Sequence, residues 1–125
     1  MKILIADDSG IIRDRVKAAI HGISAEDQIH EASTIEDTLN RLEAISPEVI
    51  ILDLRMPDGS GTDVLKTVKA CPDPPVVIVF TSYPYPQYRR KCMDLGADYF
   101  FDKSENIEKL TDVIARIHHE PGKTI

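Results

Sequence analysis

Short apolar blocks alternate with stretches of helical periodicity along the whole 125-residue chain, and this alternation limits the available folds more than any other feature. Lys2–Ala6 predicts a strand. Ile12, Val16, Ala19 and Ile23 recur at helical spacing, so a helix runs from Gly10 to about Gly22. Gln28–Ala32 is a weaker strand, after which Ser33 and Glu36 read as a capping box opening a helix with Ile35, Leu39 and Leu42 on one face. Val49–Leu52 is continuously apolar. Pro57, Gly59 and Gly61 mark a loop, and Val64, Leu65 and Val68 a third helix. After a proline-rich turn, Val76–Phe80 is the clearest strand, β-branched at most positions. Pro84 and Pro86 delay a helix carrying Tyr88, Cys92 and Leu95 that ends at Gly96. Tyr99–Phe101 is a short strand, and Ile107, Leu110, Ile114 and Ile117 stripe a final helix. Strands that are apolar throughout are buried on both faces, as in a parallel sheet. With right-handed crossovers, the expectation is an α/β fold, (βα)5, a doubly wound five-stranded parallel sheet. Five strands are too few for the eightfold barrel. Residues 1–120 are expected to form one domain and 121–125 a short tail.

Composition removes several functions. The net charge is −6, with 15 basic against 21 acidic residues, so this domain alone has no basic surface for nucleic acid; its only short basic run is Arg89-Arg90-Lys91. No apolar run approaches the roughly 18–20 residues of a membrane span. The apolar N-terminal stretch is too short for a secretory signal and meets Asp7-Asp8 at once, so a cytoplasmic protein without a membrane partner is expected. Cys71 and Cys92 form no Cys-x-x-Cys and read as reduced, packing residues. His21, His30 and the pair His118-His119 lack zinc-ligand spacing.

In an open parallel sheet the functional crevice lies beyond the carboxyl ends of the strands. The first strand ends in Asp7-Asp8, the third in Asp53, the fourth in Thr81-Ser82 and the fifth in Asp102-Lys103. Each has a plain structural explanation: an aspartate or Ser9 as helix cap, Thr81 as a strand residue, Lys103 as a solvated lysine. Their convergence has none. Two unit charges at 4 Å cost about 4 kcal/mol at an effective dielectric of 20. A hard divalent cation relieves that repulsion, and oxygen-only ligands point to Mg²⁺. Such a cation with a carboxylate, a lysine and a threonine fits phosphoryl transfer to a carboxylate. Asp53, on the central strand, is the expected nucleophile. Asp7 and Asp8 would hold the metal, Lys103 would pair with one phosphoryl oxygen, and Thr81 would donate to another.

Asp7-Asp8, the segment Ile51-Leu-Asp53-Leu-Arg-Met-Pro57-Asp-Gly-Ser-Gly61, Thr81-Ser82, Gly96-Ala97-Asp98 and Lys103 together resemble the response-regulator receiver domain of bacterial two-component signalling, chemotaxis receivers included, over nearly the full length. The resemblance implies the flavodoxin-like strand order 2-1-3-4-5. It implies that Asp53 accepts a phosphoryl group from a phosphohistidine of a sensor histidine kinase or histidine phosphotransfer protein, and that the chain catalyses only its own phosphorylation and dephosphorylation. It assigns Mg²⁺ to the side chains of Asp8 and Asp53, to Asp7 mostly through water, and to the backbone carbonyl of Arg55. Lys103 and Thr81 read the phosphoryl group. Thr81 moves inward and an aromatic of the fifth strand follows, so the face of the fourth helix, fifth strand and fifth helix changes for a downstream partner; a homodimer through that face is left open.

The chain departs from the family pattern at three places. Ser104 stands where proline usually follows the lysine, leaving a cis peptide there in question and offering a cap for the final helix. The aromatic three residues before the lysine is Phe100 rather than tyrosine, with Tyr99 beside it. Arg55 and Tyr83 lie two residues beyond Asp53 and Thr81 and are expected to flank the route of an attacking water. Of Ile11 and Ile12, one fits the core and the other is left for solvent or a kinase helix. Ser82-Tyr-Pro-Tyr-Pro-Gln-Tyr88 is a stiff loop or a partner surface. The main alternative is a degenerate receiver acting as an unphosphorylated docking module, against which the intact acid, threonine and lysine set argues. A haloacid-dehalogenase-type phosphatase would need an aspartate where Arg55 stands. A flavodoxin phosphate loop would be repelled by Asp7-Asp8.

Overall fold

The computed structural model describes residues 1–104 and 107–119. In chain order the elements are β1 Lys2–Ala6, α1 Gly10–Ile23, β2 Gln28–Ala32, α2 Ile35–Ile45, β3 Val49–Leu52, β4 Arg55–Met56, β5 Gly59–Ser60, α3 Gly61–Lys69, β6 Val76–Thr81, α4 Pro86–Asp94, β7 Tyr99–Asp102 and α5 Glu108–His119. Five strands form one parallel sheet in the order β2-β1-β3-β6-β7, the expected 2-1-3-4-5 once the two-residue strands are set aside. Those two, β4 and β5, form a small antiparallel ladder inside the segment expected to be loop. The expected tail, residues 121–125, lies outside the described residues.

The alternation of side chains along each strand divides the core in two. Leu4, Ile50, Leu52, Val77, Val79 and Phe100 pack beneath α2, α3 and α4. Ile3, Ile5, Val49, Ile51, Ile78 and Phe80 pack beneath α1 and α5, where Val16, Ile20, Leu110 and Ile114 complete the layer. Every residue of β3 is buried, as its unbroken apolar run requires. Each fully buried aliphatic side chain contributes about 1.5–3 kcal/mol, which is ample to hold helices on both faces.

Two expected helix starts are corrected. The cap of α2 is Thr34 rather than Ser33: its Oγ1 accepts the Asp37 amide at 3.0 Å. The start is shifted because Asp58, from the turn between β4 and β5, accepts the amides of Ile35 at 2.7 Å and Glu36 at 3.0 Å. A carboxylate distant in sequence thus satisfies two orphan donors and fixes where the helix opens. Ser104 does not cap α5, which begins at Glu108; its amide instead donates to Asp102 Oδ1 at 2.9 Å in a local turn. No cis peptide occurs among the described residues. The proline-rich entry to α4 has Pro86 at the first helical position, and Tyr85, half-exposed, lies with its ring 5.8 Å from that of Tyr88.

Candidate functional site

The parallel register sets the site. Ala6 is paired with Leu52, and Leu52 with Val79, so the strands end at nearly one level. The ladder continues one residue further: Asp7 N–H donates to Ala32 O at 3.0 Å, Asp53 N–H to Ala6 O at 2.9 Å and Lys103 N–H to Thr81 O at 2.8 Å. Asp7, Asp53 and Lys103, just past the strands, are therefore still tied into the sheet. Gly61 is required beside them, because a Cβ there would stand 2.1 Å from the carbonyl oxygen of Asp53.

Asp7 and Asp53 are buried, at 3% and 5% exposure, while Asp8 is open to solvent. One carboxylate oxygen from each of the three lies within 4.8 Å of the others. At that separation each pair of charges repels by about 3.5 kcal/mol at an effective dielectric of 20. Lys103 offsets part of this: its Nζ lies 2.6 Å from Asp7 Oδ2 and 3.0 Å from Asp53 Oδ2. The remaining oxygen of Asp53 accepts the Leu54 amide at 2.8 Å, and that of Asp7 the Ser9 amide at 2.9 Å. Ser9 in turn caps α1. Burial pushes the Asp53 carboxyl above the usual range, with the Asp7 charge adding to it and Lys103 opposing. Burial pulls the Lys103 ammonium down, but Asp7 and Asp53 outweigh it and hold it above its ordinary value. Oxygen donors alone, negative in sum, suit a hard divalent cation. Asp7, Asp8 and Asp53 could hold one.

Asp8, Asp53, Arg55, Tyr83 and Lys103 all line one open cleft of about 500 Å³. The Arg55 guanidinium stacks on the Tyr83 ring, 4.4 Å from its centroid, so the two residues form one lid edge rather than separate flanks. The Tyr88 hydroxyl foremost, and Tyr83 after it, hold the Arg55 pKa above its usual value. Thr81 is wholly buried, and its Oγ1 accepts the Tyr83 amide at 3.1 Å. Phe100 stands apart from the cleft. It is buried on the α4 side of β7, with the Arg89 guanidinium 5.7 Å from its ring centroid and bonded to its carbonyl oxygen at 3.3 Å. Tyr99 points to the opposite face and stacks on Phe101 at 6.1 Å. At the rim, Ile11 is 76% exposed, while Ile12 packs against the core.

Two residues that bond to backbone far away in the chain or on another element are not marked by the sequence. Asp58 reads as an ordinary turn acid between Pro57 and Gly59, and only the tertiary contact with α2 reveals its place. Arg13 falls on the polar side of the α1 stripe, yet its Nη1 donates to the Asp7 carbonyl oxygen at 2.7 Å.

The comparisons agree with this geometry. The chain is 28% identical over 120 residues to the sensory transduction protein LytR of Staphylococcus haemolyticus, covering 96% of this chain and 46% of that protein. It is 32% identical over 123 residues to the protein-glutamate methylesterase/protein-glutamine glutaminase of Clostridium acetobutylicum, covering 94% of this chain and 36% of that one. The chain thus spans about half or less of the length of these curated relatives. Its fold matches the signal receiver domain of a DNA-binding response regulator from Colwellia psychrerythraea, with a TM-score of 0.90 at 24% identity over 96% of this chain and 99% of that one. A family model for the response regulator receiver domain matches residues 3–115, and with three carboxylates, a buried threonine and a lysine gathered at the carboxyl edge of its sheet, the chain belongs to that family.

Proposed function

We propose that the chain is a Mg²⁺-dependent phosphorylatable switch whose acceptor is Asp53. The observation that carries this reading is the Asp53 carboxylate itself: buried on the central strand, bonded to Lys103, and lining a cleft open to a partner. In the transfer, an Asp53 carboxylate oxygen attacks phosphorus in line. The bond from phosphorus to the donor's imidazole nitrogen breaks, and its electron pair leaves with the imidazole. Lys103 is placed to leave the carboxylate pair and neutralise a phosphoryl oxygen. Thr81 Oγ1 accepts the Tyr83 amide, and its O–H donates to a phosphoryl oxygen. Asp7, Asp8, Asp53 and the Arg55 backbone carbonyl would hold Mg²⁺, which when bound supplies positive charge to the phosphoryl oxygens. The donor is a phosphohistidine of a histidine kinase or phosphotransfer protein, and the exposed Ile11 offers an apolar contact beside the cleft. The output runs through Thr81 and Phe100 to the face of α4, β7 and α5, where a downstream partner or a second copy docks. The protein acts in the cytoplasm, the place of a kinase-fed switch; no helix among the described residues is long and apolar enough to cross a membrane.

Incubation with a small phosphodonor and Mg²⁺, read by intact mass, tests this. One base-labile phosphoryl adduct is expected, absent without Mg²⁺ and absent from Asp53→Asn. A chain that remains unmodified by every donor, or an Asp53→Asn variant labelled like the wild type, would refute the assignment.

A further inference from the structure

We infer that Arg13, anchored by Glu31, is a positioning residue for the cation site: it fixes the peptide that joins Asp7 to Asp8. The side chain of Arg13 turns back from the second turn of α1 over the end of β1. Its Nη1 donates to the Asp7 carbonyl oxygen at 2.7 Å, and its Nε to Glu31 Oε1, on β2, at 3.0 Å. The other oxygen of Glu31 accepts Lys17 Nζ at 2.9 Å. Asp7 is thereby held on three sides, by its amide on Ala32 O, by its carboxylate on the Ser9 amide and Lys103, and by its carbonyl on Arg13. Only the last bond acts on the peptide plane leading into Asp8. Asp8 is exposed, and that plane is one end of the backbone on which its side chain is mounted.

The charges support the same role. A bare guanidinium beside a cation site would repel the cation, but Arg13 is paired with Glu31, whose carboxyl is held below its usual range by Lys17 and Arg13. Glu31, shared with Lys17, offsets part of the guanidinium's charge while its rigid planar fork reaches the Asp7 carbonyl. Groups that orient metal ligands from behind typically change metal affinity 10–100-fold when removed. A network that merely tied α1 to the edge strand β2 would alter stability and leave metal affinity alone.

The inference rests on the cation site proposed above. Mg²⁺ is titrated by calorimetry into the full chain, wild type, Arg13→Met, Arg13→Lys and Glu31→Gln, with folding checked by circular dichroism. Arg13→Met is expected to bind Mg²⁺ roughly tenfold more weakly, and Glu31→Gln roughly threefold more weakly. Arg13→Lys should fall between wild type and Arg13→Met, since one ammonium does not reproduce the two-armed fork. Folded Arg13→Met with affinity within about twofold of wild type overturns the inference. Should Arg13→Met not fold, Glu31→Gln decides alone: unchanged Mg²⁺ affinity overturns it. Wild-type protein that takes up no Mg²⁺ sinks the cation site and this role together, whereas wild-type binding with unaltered variants sinks this role alone.

Discussion

Replacing Lys103 with methionine separates the charge of the site from its shape. The ammonium lies 2.6 Å from Asp7 and 3.0 Å from Asp53. At an effective dielectric of 20 those contacts amount to about 6 and about 5.5 kcal/mol of attraction, against a burial penalty of several kcal/mol for the ammonium. Methionine removes the attraction and leaves two buried carboxylates within 4.8 Å of each other. Breaking a buried ion pair from one side costs about 3–5 kcal/mol, so in EDTA at pH 7.5 the variant should melt roughly 10–20 °C below wild type. Two conditions should restore it. Mg²⁺ replaces the lost positive charge, so its stabilising effect should be larger on the variant than on wild type. Acid restores it too. The Asp53 carboxyl is already raised by burial, so the folded state holds its proton at a pH where the unfolded chain has released it. Stability from this group therefore grows as pH falls through the folded value towards the ordinary carboxylate range, and is lost as pH rises. Removing Lys103 raises that carboxyl further and widens the window. Thermal and urea unfolding at pH 5 and 7.5, with EDTA or Mg²⁺, give the answer. A variant within about 1 kcal/mol of wild type in EDTA, or a deficit indifferent to both Mg²⁺ and pH, would show that the carboxylates do not repel as the geometry requires.

Gly61→Ala should cost at least about 2–3 kcal/mol in urea unfolding and abolish phosphorylation, because the added methyl would meet the Asp53 carbonyl 2.1 Å away and must displace the acceptor's own backbone. Arg55→Ala and Tyr83→Ala should each shorten the half-life of the aspartyl phosphate, since either opens the stacked lid edge; an unchanged or longer half-life in both, measured by loss of labelled phosphate, removes them from that role. Asp58→Ala should lower the melting temperature at neutral pH. The α2 amides of Ile35 and Glu36 hold the Asp58 carboxyl below its usual range, so its stabilisation is present above the ordinary carboxylate value and lost as pH falls through the lowered folded value. The gap between wild type and variant should close in strong acid, and a gap constant with pH would exclude the capping role.

Much of this was legible in the residue order. An unbroken apolar run such as Val49–Leu52 can only be buried on both sides, and the alternation with helical stripes then leaves a parallel doubly wound sheet. The acids, the threonine and the lysine were legible because a parallel sheet carries its strand ends to one edge whatever the details. Local capping was less so. Ser33 and Thr34 are equally able to open α2, and the choice fell to Asp58, a group 23 positions beyond Ile35 in the chain.

The sequence by itself determined the layer order, the two-sided core and the convergence of Asp7, Asp8, Asp53, Thr81 and Lys103, since these follow from periodicity and strand polarity, which are local. Only the tertiary structure decided that Lys103 bridges two carboxylates, that Arg55 lies on Tyr83, that Phe100 and Tyr99 face opposite ways, that Arg13 reaches the Asp7 carbonyl and that Asp58 caps α2. Those contacts depend on how elements far apart in the chain pack against one another, and no spacing along the chain encodes them.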